Sequence, residues 1–379
     1  MDDDHGVLAM TQPTATGRRE VPLEEPLRPD SGISGASNIV RRRRRSGRGA
    51  YFLRRVGSYL VVIWAAVTLN FIIPRFMPGD PAEAVLRRIR QTTGEPPTPS
   101  QIESVQRLYG DPTENLLQQY LAYWGSVFRF DFGISTAHYP TPVSEIVLQA
   151  LPWTLFLIGV STVVAWIIGT VLGAIMGWRP GSRFDSWFAP LSTFFHAFPG
   201  FWIALVLLWI LSIQFEIFPV AGGYDASVPM QINNVYFLAS VFFFGALPMG
   251  ALIFIGFNGW LFSMRNVMVA TVTEDYVLMA RAKGLPERKV LFSYAARNAL
   301  LPNVTGLAMA IGGVIAGAVL IEAVFTYPGM GYLLQTSITG HDFPVMQTVL
   351  LMLTFTSILA NFIADSIYVL LDPRAAETN

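Results

Sequence analysis

The chain has 379 residues, 26 basic and 26 acidic side chains, and no cysteine, so disulfides, thiolate metal sites and cysteine nucleophiles are excluded. Zero net charge says little about partners, but 52% hydrophobic and only 14% charged residues exclude an ordinary soluble domain, where about 25% are charged. Residues 1–50 are polar, rich in Pro, Gly and Ser, and end in the run Arg41–Arg45. They offer too little apolar surface to fold and read as a disordered tail. Arginines just ahead of an apolar run hold that end in the cytoplasm and can meet anionic headgroups. The acidic start Asp2–Asp4 and the length of the apolar run that follows do not match a cleavable signal peptide.

Apolar runs long enough to cross a bilayer, about 20 residues as a helix, follow in order. The first predicted span is Val56–Ile73, ended by Pro74 and Met77–Ala82. Residues 75–147 read as an extracytoplasmic insert of short helices. Its segment Gly110–Phe128 suits a helix along the membrane surface, with Tyr120, Tyr123 and Trp124 at the interface. The second span, Leu151–Trp178, has Gly169, Gly173 and Gly177 at spacing four, which admits a close helix neighbour. A turn with Arg179 and Arg183 precedes the third span, Trp187–Ile213, interrupted by Phe198-Pro199-Gly200. The fourth span is Val235–Phe262, the fifth Asn303–Phe325 and the sixth Val345–Leu371. The expectation is therefore an all-α polytopic membrane protein of six transmembrane helices, with both termini cytoplasmic and the basic turns on that side. Residues 51–374 form its transmembrane domain and 375–379 a tail.

No catalytic constellation is legible. Lys283 follows Ala282 and Lys289 follows Arg288, so no P-loop exists. His5, His138, His196 and His341 form no H-E-x-x-H motif, and no G-x-S-x-G elbow is present. The chain is expected to be neither an enzyme nor a cofactor binder. Ionisable groups at membrane depth are functional candidates by default. His196 and Glu322 are named as candidate pathway residues, and Asn361 and Asp365 lie late in the sixth span. The plain alternative is that each satisfies a backbone group or lines a wet helix interface.

Between the fourth and fifth spans, residues 263–301 are polar and hold both lysines of the chain. Thr273 can cap a helix whose first turn carries Glu274 and Asp275. Arg281 and Lys283 fall in its last turn, Gly284 ends it, and Pro286 prevents continuation. A second helix, Glu287–Leu300, leads to Pro302. Ala280, Ala282 and Gly284 would let the first helix nest in a groove on another protein.

This loop resembles the EAA coupling segment of ABC importer permeases of the dipeptide/oligopeptide/nickel type. The likeness is carried by EDYVLMARAKGL at Glu274 and RNALLP at Arg297. It extends through MPGDPA at Met77, LPWTL at Leu151, GSRFD at Gly181, FPGFW at Phe198, FPVAGG at Phe218, FTYPGMG at Phe325, DFPVMQ at Asp342 and LDPR at Leu371. Leu278, Met279 and Ala280 stand where the general pattern has Glu-Ala-Ala, and Ala296-Arg297 where it has Leu-Pro; these read as subfamily marks. The resemblance implies a type I ABC importer permease fold and an inner-membrane permease of bacterial type. It implies a second homologous permease, two cytoplasmic ATP-binding subunits and an extracytoplasmic solute-binding protein as partners. Lipid and a peptide or similar solute complete the set, with no nucleic acid. ATPase coupling is implied for Glu274, Asp275, Tyr276, Ala280, Arg281, Ala282, Lys283 and Gly284. The rival reading is an ion-coupled secondary transporter acting alone, against which the scarcity of intramembrane carboxylates speaks.

Overall fold

In a bilayer a long apolar run can satisfy its own backbone amides only as a helix. The computed structural model describes residues 48–73, 81–109, 115–313 and 315–371 and, among them, contains helices and no strand. The first helix, α1 (Arg48–Ile72), begins within the expected tail. The insert holds α2 (Pro81–Thr93), α3 (Pro99–Tyr109) and α4 (Leu116–Arg129). Then come α5 (Val143–Trp178), α6 (Arg183–His196) and α7 (Gly200–Leu208), which runs on as a π segment to Gln214. After α8 (Val235–Thr271) follow α9 (Asp275–Ala282) and α10 (Glu287–Lys289), with a π segment Val290–Ala295. The chain closes with α11 (Ala296–Gly313), α12 (Ile315–Val324), α13 (Met330–Thr339) and α14 (Phe343–Leu371). Among the described residues, α1, α5, α8 and α14 are long and apolar enough to cross a membrane singly.

The third predicted span is broken at the expected Phe198-Pro199-Gly200 interruption: α6 and the α7–π unit meet at 96°. Pro199 has no amide hydrogen to continue α6, and it starts α7 instead. The fifth predicted span holds α11 and α12, and residue 314 between them lies outside what is described. Helix α8 continues to Thr271, and the second loop helix runs through Pro302 without a stop. Residues 1–47, Met77–Asp80 of the MPGDPA run, the C-terminal 375–379 and the side chain of Asp365 lie outside what is described.

The scaffold turns on the α5–α8 pair. A Cβ added at Gly169 would run into the Phe257 carbonyl. One at Gly173 would strike the Leu261 carbonyl and lie 2.9 Å from the Met264 Cβ, and one at Gly177 would lie 2.7 Å from the Arg265 carbonyl. With no side chains on that stripe, the two backbones touch. The turn after α5 then locks onto α8. Asp185, 3% exposed, takes a two-pronged ion pair from Arg265 (2.6 and 2.8 Å) and the Gly181 amide at 2.9 Å. Removing Arg265 leaves the Asp185 carboxylate buried without its cation. Arg265→Ala is expected to cost about 3 kcal/mol, read as a lowered thermal midpoint of the purified protein, with much of it recovered in Asp185→Leu/Arg265→Met.

A second node is Asn303, 1% exposed. Its amide reaches Thr170 Oγ1 (3.2 Å) and the Trp260 carbonyl (3.4 Å), and its Oδ1 accepts from Ser263 at 2.6 Å. Trp166 Nε1 donates to its carbonyl at 3.2 Å. One amide thereby joins α5, α8 and α11. The insert is fused to the bundle by an apolar cluster including Val67, Phe71, Ile89, Tyr123, Val147 and Val345. Tyr123, expected at the interface, is 1% exposed and packs on Phe71, because the face of α4 carrying it turns to α1. Tyr120 bonds Thr68 at 2.7 Å. Asn70 and Gln347 exchange two bonds (3.0 and 2.9 Å) between α1 and α14. Asp342, 2% exposed, accepts from Ser135 Oγ at 2.5 Å and the Ala137 amide at 3.0 Å, tying the insert to the start of α14.

Candidate functional site

Three motifs far apart in the sequence meet at the N-terminal part of α5. A helix leaves its first amides unpaired, and α13 begins after Gly329, which has no side chain to cap them. The caps come from other helices. Thr154 Oγ1 accepts from the Met330 amide at 2.7 Å, and Glu322 Oε2 accepts from the Gly331 amide at 2.6 Å. The other Glu322 oxygen, Oε1, is buried without a hydrogen-bond partner among the described residues. An acid is favoured there by the helix dipole. Glu322 is fully buried, and a Cβ at Gly329 would overlap its carboxylate, so the loop closes over it only because that position is glycine.

The ring of Trp153 stacks on Tyr224 (5.7 Å, 17°) and meets Tyr327 edge-on (5.7 Å, 83°). The Gly222 amide donates to the Phe325 carbonyl at 3.2 Å, and a Cβ at Gly223 would lie 2.7 Å from Pro328. LPWTL, FPVAGG and FTYPGMG thus form one clasp. Thr326 turns the chain within it at φ 51°, a left-handed conformation that costs a β-branched residue about 1–2 kcal/mol. Glu322 is closed off beneath this clasp rather than open to solvent in the chain.

The coupling-segment candidates lie by the other end of α5; Trp178 is 24 residues, about 36 Å, along the helix from Thr154. Glu274 occupies the N-cap of α9 and Asp275 its first turn. Thr273, expected to cap, turns its hydroxyl back to the Ala270 carbonyl at 2.8 Å. At the other end Gly284 has φ 72°; its amide bonds the Arg281 carbonyl (2.9 Å) and the Leu285 amide bonds the Ala280 carbonyl (3.4 Å), the paired Schellman closure.

Val277 and Ala280 are buried against Ala174, Trp178, Met264, Met268, Val290 and Leu291. Ala280, expected on the docking face, therefore anchors α9 to its own bundle. Arg281 lies 4.5 Å over the Trp178 ring and 3.5 Å from Glu287, bracing α9 against α5 and α10. The outward side presents Tyr276, Leu278 and Met279, with Ala282, Lys283 and Gly284 beyond them. The residues that depart from the Glu-Ala-Ala pattern are thus the exposed ones. His196, the last residue of α6, is exposed at the α6–α7 break and lies apart from both sites.

A sequence profile of the binding-protein-dependent transport system inner membrane component family matches residues 169–377. The chain is also 33% identical over 330 residues to the oligopeptide transport system permease protein AppB of Bacillus subtilis, covering 86% of this chain and 98% of the relative. The chain belongs to this family of transport permeases. The permease is 31% identical over 328 residues to the dipeptide transport system permease protein DppB of Lactococcus lactis, again over 86% of this chain and 98% of the relative. It is 32% identical over 347 residues to the di/tripeptide transport system permease protein DppB of Pseudomonas aeruginosa, with the same coverage. The permease is a multi-pass membrane protein and a permease subunit of an ABC importer.

Sequence reasoning overlooked Asp185, Arg265, Thr154 and Asn303 as organising residues of the permease. Each had a signal: an acid in the short GSRFD turn, the first charge after the fourth apolar run, a hydroxyl after Trp153, and an amide after Pro302. None of these signals names its partner.

Proposed function

We propose that the permease forms half of the translocation pathway of an ATP-driven importer for peptides or similar small solutes. The names of its relatives support the peptide class. A second homologous permease, two cytoplasmic ATP-binding subunits and an extracytoplasmic binding protein complete the machine. Both termini and α9 face the cytoplasm, and the 75–147 insert faces outward. The basic run Arg41–Arg45 beside the first span supports that orientation.

The observation that carries the reading is the build of α9. It is closed at Gly284, seated on the bundle by Val277 and Ala280, braced by Arg281, and leaves Tyr276, Leu278 and Met279 uncovered. Such a helix moves with whatever binds it and passes that movement to α5 through Trp178. ATP drives transport to the extent that the ATP-binding subunits hold the two states of the bundle with different affinity. At the other end Glu322 acts by keeping α13 docked, and His196 faces the solute path.

Gly284→Val tests the coupling role. Nothing lies within 4 Å of a Cβ at Gly284, so the bundle has room for the side chain. A β-branched residue at φ 72° nevertheless costs about 1–2 kcal/mol and reshapes the end of α9. Membrane insertion and yield stay normal while ATP-driven uptake by the assembled complex is lost. Uptake at the wild-type rate removes α9 as the coupling element. Uptake by this chain alone under an ion gradient would instead favour the secondary-transporter reading.

A further inference from the structure

The break between α6 and α7 carries polar groups at a place set by the register of α6 on α8. Helix α6 climbs along α8 in register. Asp185 pairs with Arg265, the Ser192 carbonyl accepts from Asn258 Nδ2 at 2.8 Å, and Phe195 meets Phe254 edge-on at 5.4 Å. The contact point therefore moves 11 residues along α8, from Arg265 to Phe254, which is about 16 Å. At Gly200 the chain is still beside this level, since a Cβ there would lie 3.0 Å from Ile255. Half the hydrocarbon thickness is about 15 Å. Taking Arg265, the first charge after the fourth apolar run, as the interfacial residue puts the break at residues 197–199 near the midplane.

At that depth the chain ends one helix and starts another at 96°. Turn bonds from the Ala197 and Phe198 amides take up the Thr193, Phe194 and Phe195 carbonyls, and the first amides of α7, at Gly200 and Phe201, have no partner within the helix. His196 adds an exposed imidazole. Non-helical backbone at membrane depth is tolerated only inside protein or along a water-filled cavity, and an ionisable side chain there obeys the same rule. The rings around the break are also unusual. Phe198 stacks on Trp202 at 4.9 Å and 16°, Phe194 meets Phe198 edge-on at 5.2 Å, and Phe194 and Trp202 remain 58% and 45% exposed.

We infer that the FPGFW break is a mid-membrane wall of the water-filled solute path, with His196, Phe194, Phe198 and Trp202 facing the passing solute rather than lipid. This rests on the transport role proposed above. It adds a location in depth and a lining of stacked aromatic rings beside a polar chain break, suited to a solute that alternates apolar side chains with peptide groups.

The native chain has no cysteine, so single thiols can be placed without background. His196→Cys and, independently, Trp202→Cys are assembled with the partner subunits in lipid nanodiscs, where both faces are open to a charged methanethiosulfonate reagent. Val62→Cys, on the exposed side of α1, is the lipid-facing control. Only a hydrated thiol ionises and reacts, so both pathway thiols are expected to be modified roughly tenfold or more faster than Val62→Cys. In proteoliposomes, modification at position 196 or 202 then blocks ATP-driven uptake of a tripeptide, while treated Val62→Cys keeps it.

Reaction as slow as the control at both positions overturns the inference, whether lipid or a partner helix covers the break. Fast reaction without loss of uptake overturns it as well. The unmodified wild-type complex separates the two claims. If it shows no ATP-driven uptake, the transport proposal fails, while the labelling rates still report whether the break is wet.

Discussion

Gly173→Leu is expected to prevent stable packing of the permease although it makes the second span more apolar. The position faces α8, and a Cβ there meets the Leu261 carbonyl, the Met264 Cβ at 2.9 Å and the Arg265 amide nitrogen at 3.1 Å. Two of these are main-chain atoms, which cannot rotate away as a side-chain tip can. The helices must separate, and with them go the Asp185–Arg265 pair and the contacts of Asn303 with Thr170 and Trp260. A loss of about 4 kcal/mol or more is expected, the range of severe core defects.

Insertion into the membrane should persist, since it depends on hydropathy and not on helix pairing. The measurement is yield and thermal midpoint in detergent, set against Gly159→Leu. Gly159 lies on the same helix with nothing within 4 Å of a Cβ, so that variant should behave like wild type. Equal behaviour of the two leucine variants would remove the close approach as the basis of the α5–α8 contact.

Glu322→Ala should release the clasp. The substitution takes away the acceptor of the Gly331 amide and leaves a hole beneath Gly329. A hydrogen bond lost in a buried place, with its donor left unpaired, costs about 1–3 kcal/mol, and the hole adds to it. Glu322→Gln has nearly the same shape and keeps one acceptor oxygen, so a loss nearer 1 kcal/mol is expected. Limited proteolysis between Phe325 and Gly331 reads this directly: the alanine variant is cut, the glutamine variant resists. If both variants keep the wild-type thermal midpoint and protease resistance, α13 is not held by the carboxylate. Thr154→Val, which removes the acceptor of the Met330 amide, should weaken the same loop in the same assay.

Tyr123 and Ala280 are both buried where exposed positions were expected, and for a common reason. A tyrosine in an amphipathic segment next to apolar spans suits the membrane surface, and an alanine on a short polar-loop helix suits a docking face. The face each occupies is set by the neighbouring helix, α1 for Tyr123 and the α8–π surroundings for Ala280. The interruption of the third span was legible at Phe198-Pro199-Gly200, but its angle was not. The bend depends on where Gly200 can approach Ile255 and where Phe195 can meet Phe254.

What the sequence by itself determined is what acts over one or two helical turns. It determined the apolar runs that must become helices, the glycine stripe at 169, 173 and 177, and the stop at Gly284. Hydropathy, backbone freedom and capping are properties of a residue and its near neighbours. Which carboxylate closes which helix, which arginine answers Asp185 across 80 positions, and which face of α9 stays open were decided only by tertiary packing. A lone polar residue in an apolar run states that it needs a partner, and only the folded bundle brings that partner within hydrogen-bonding distance.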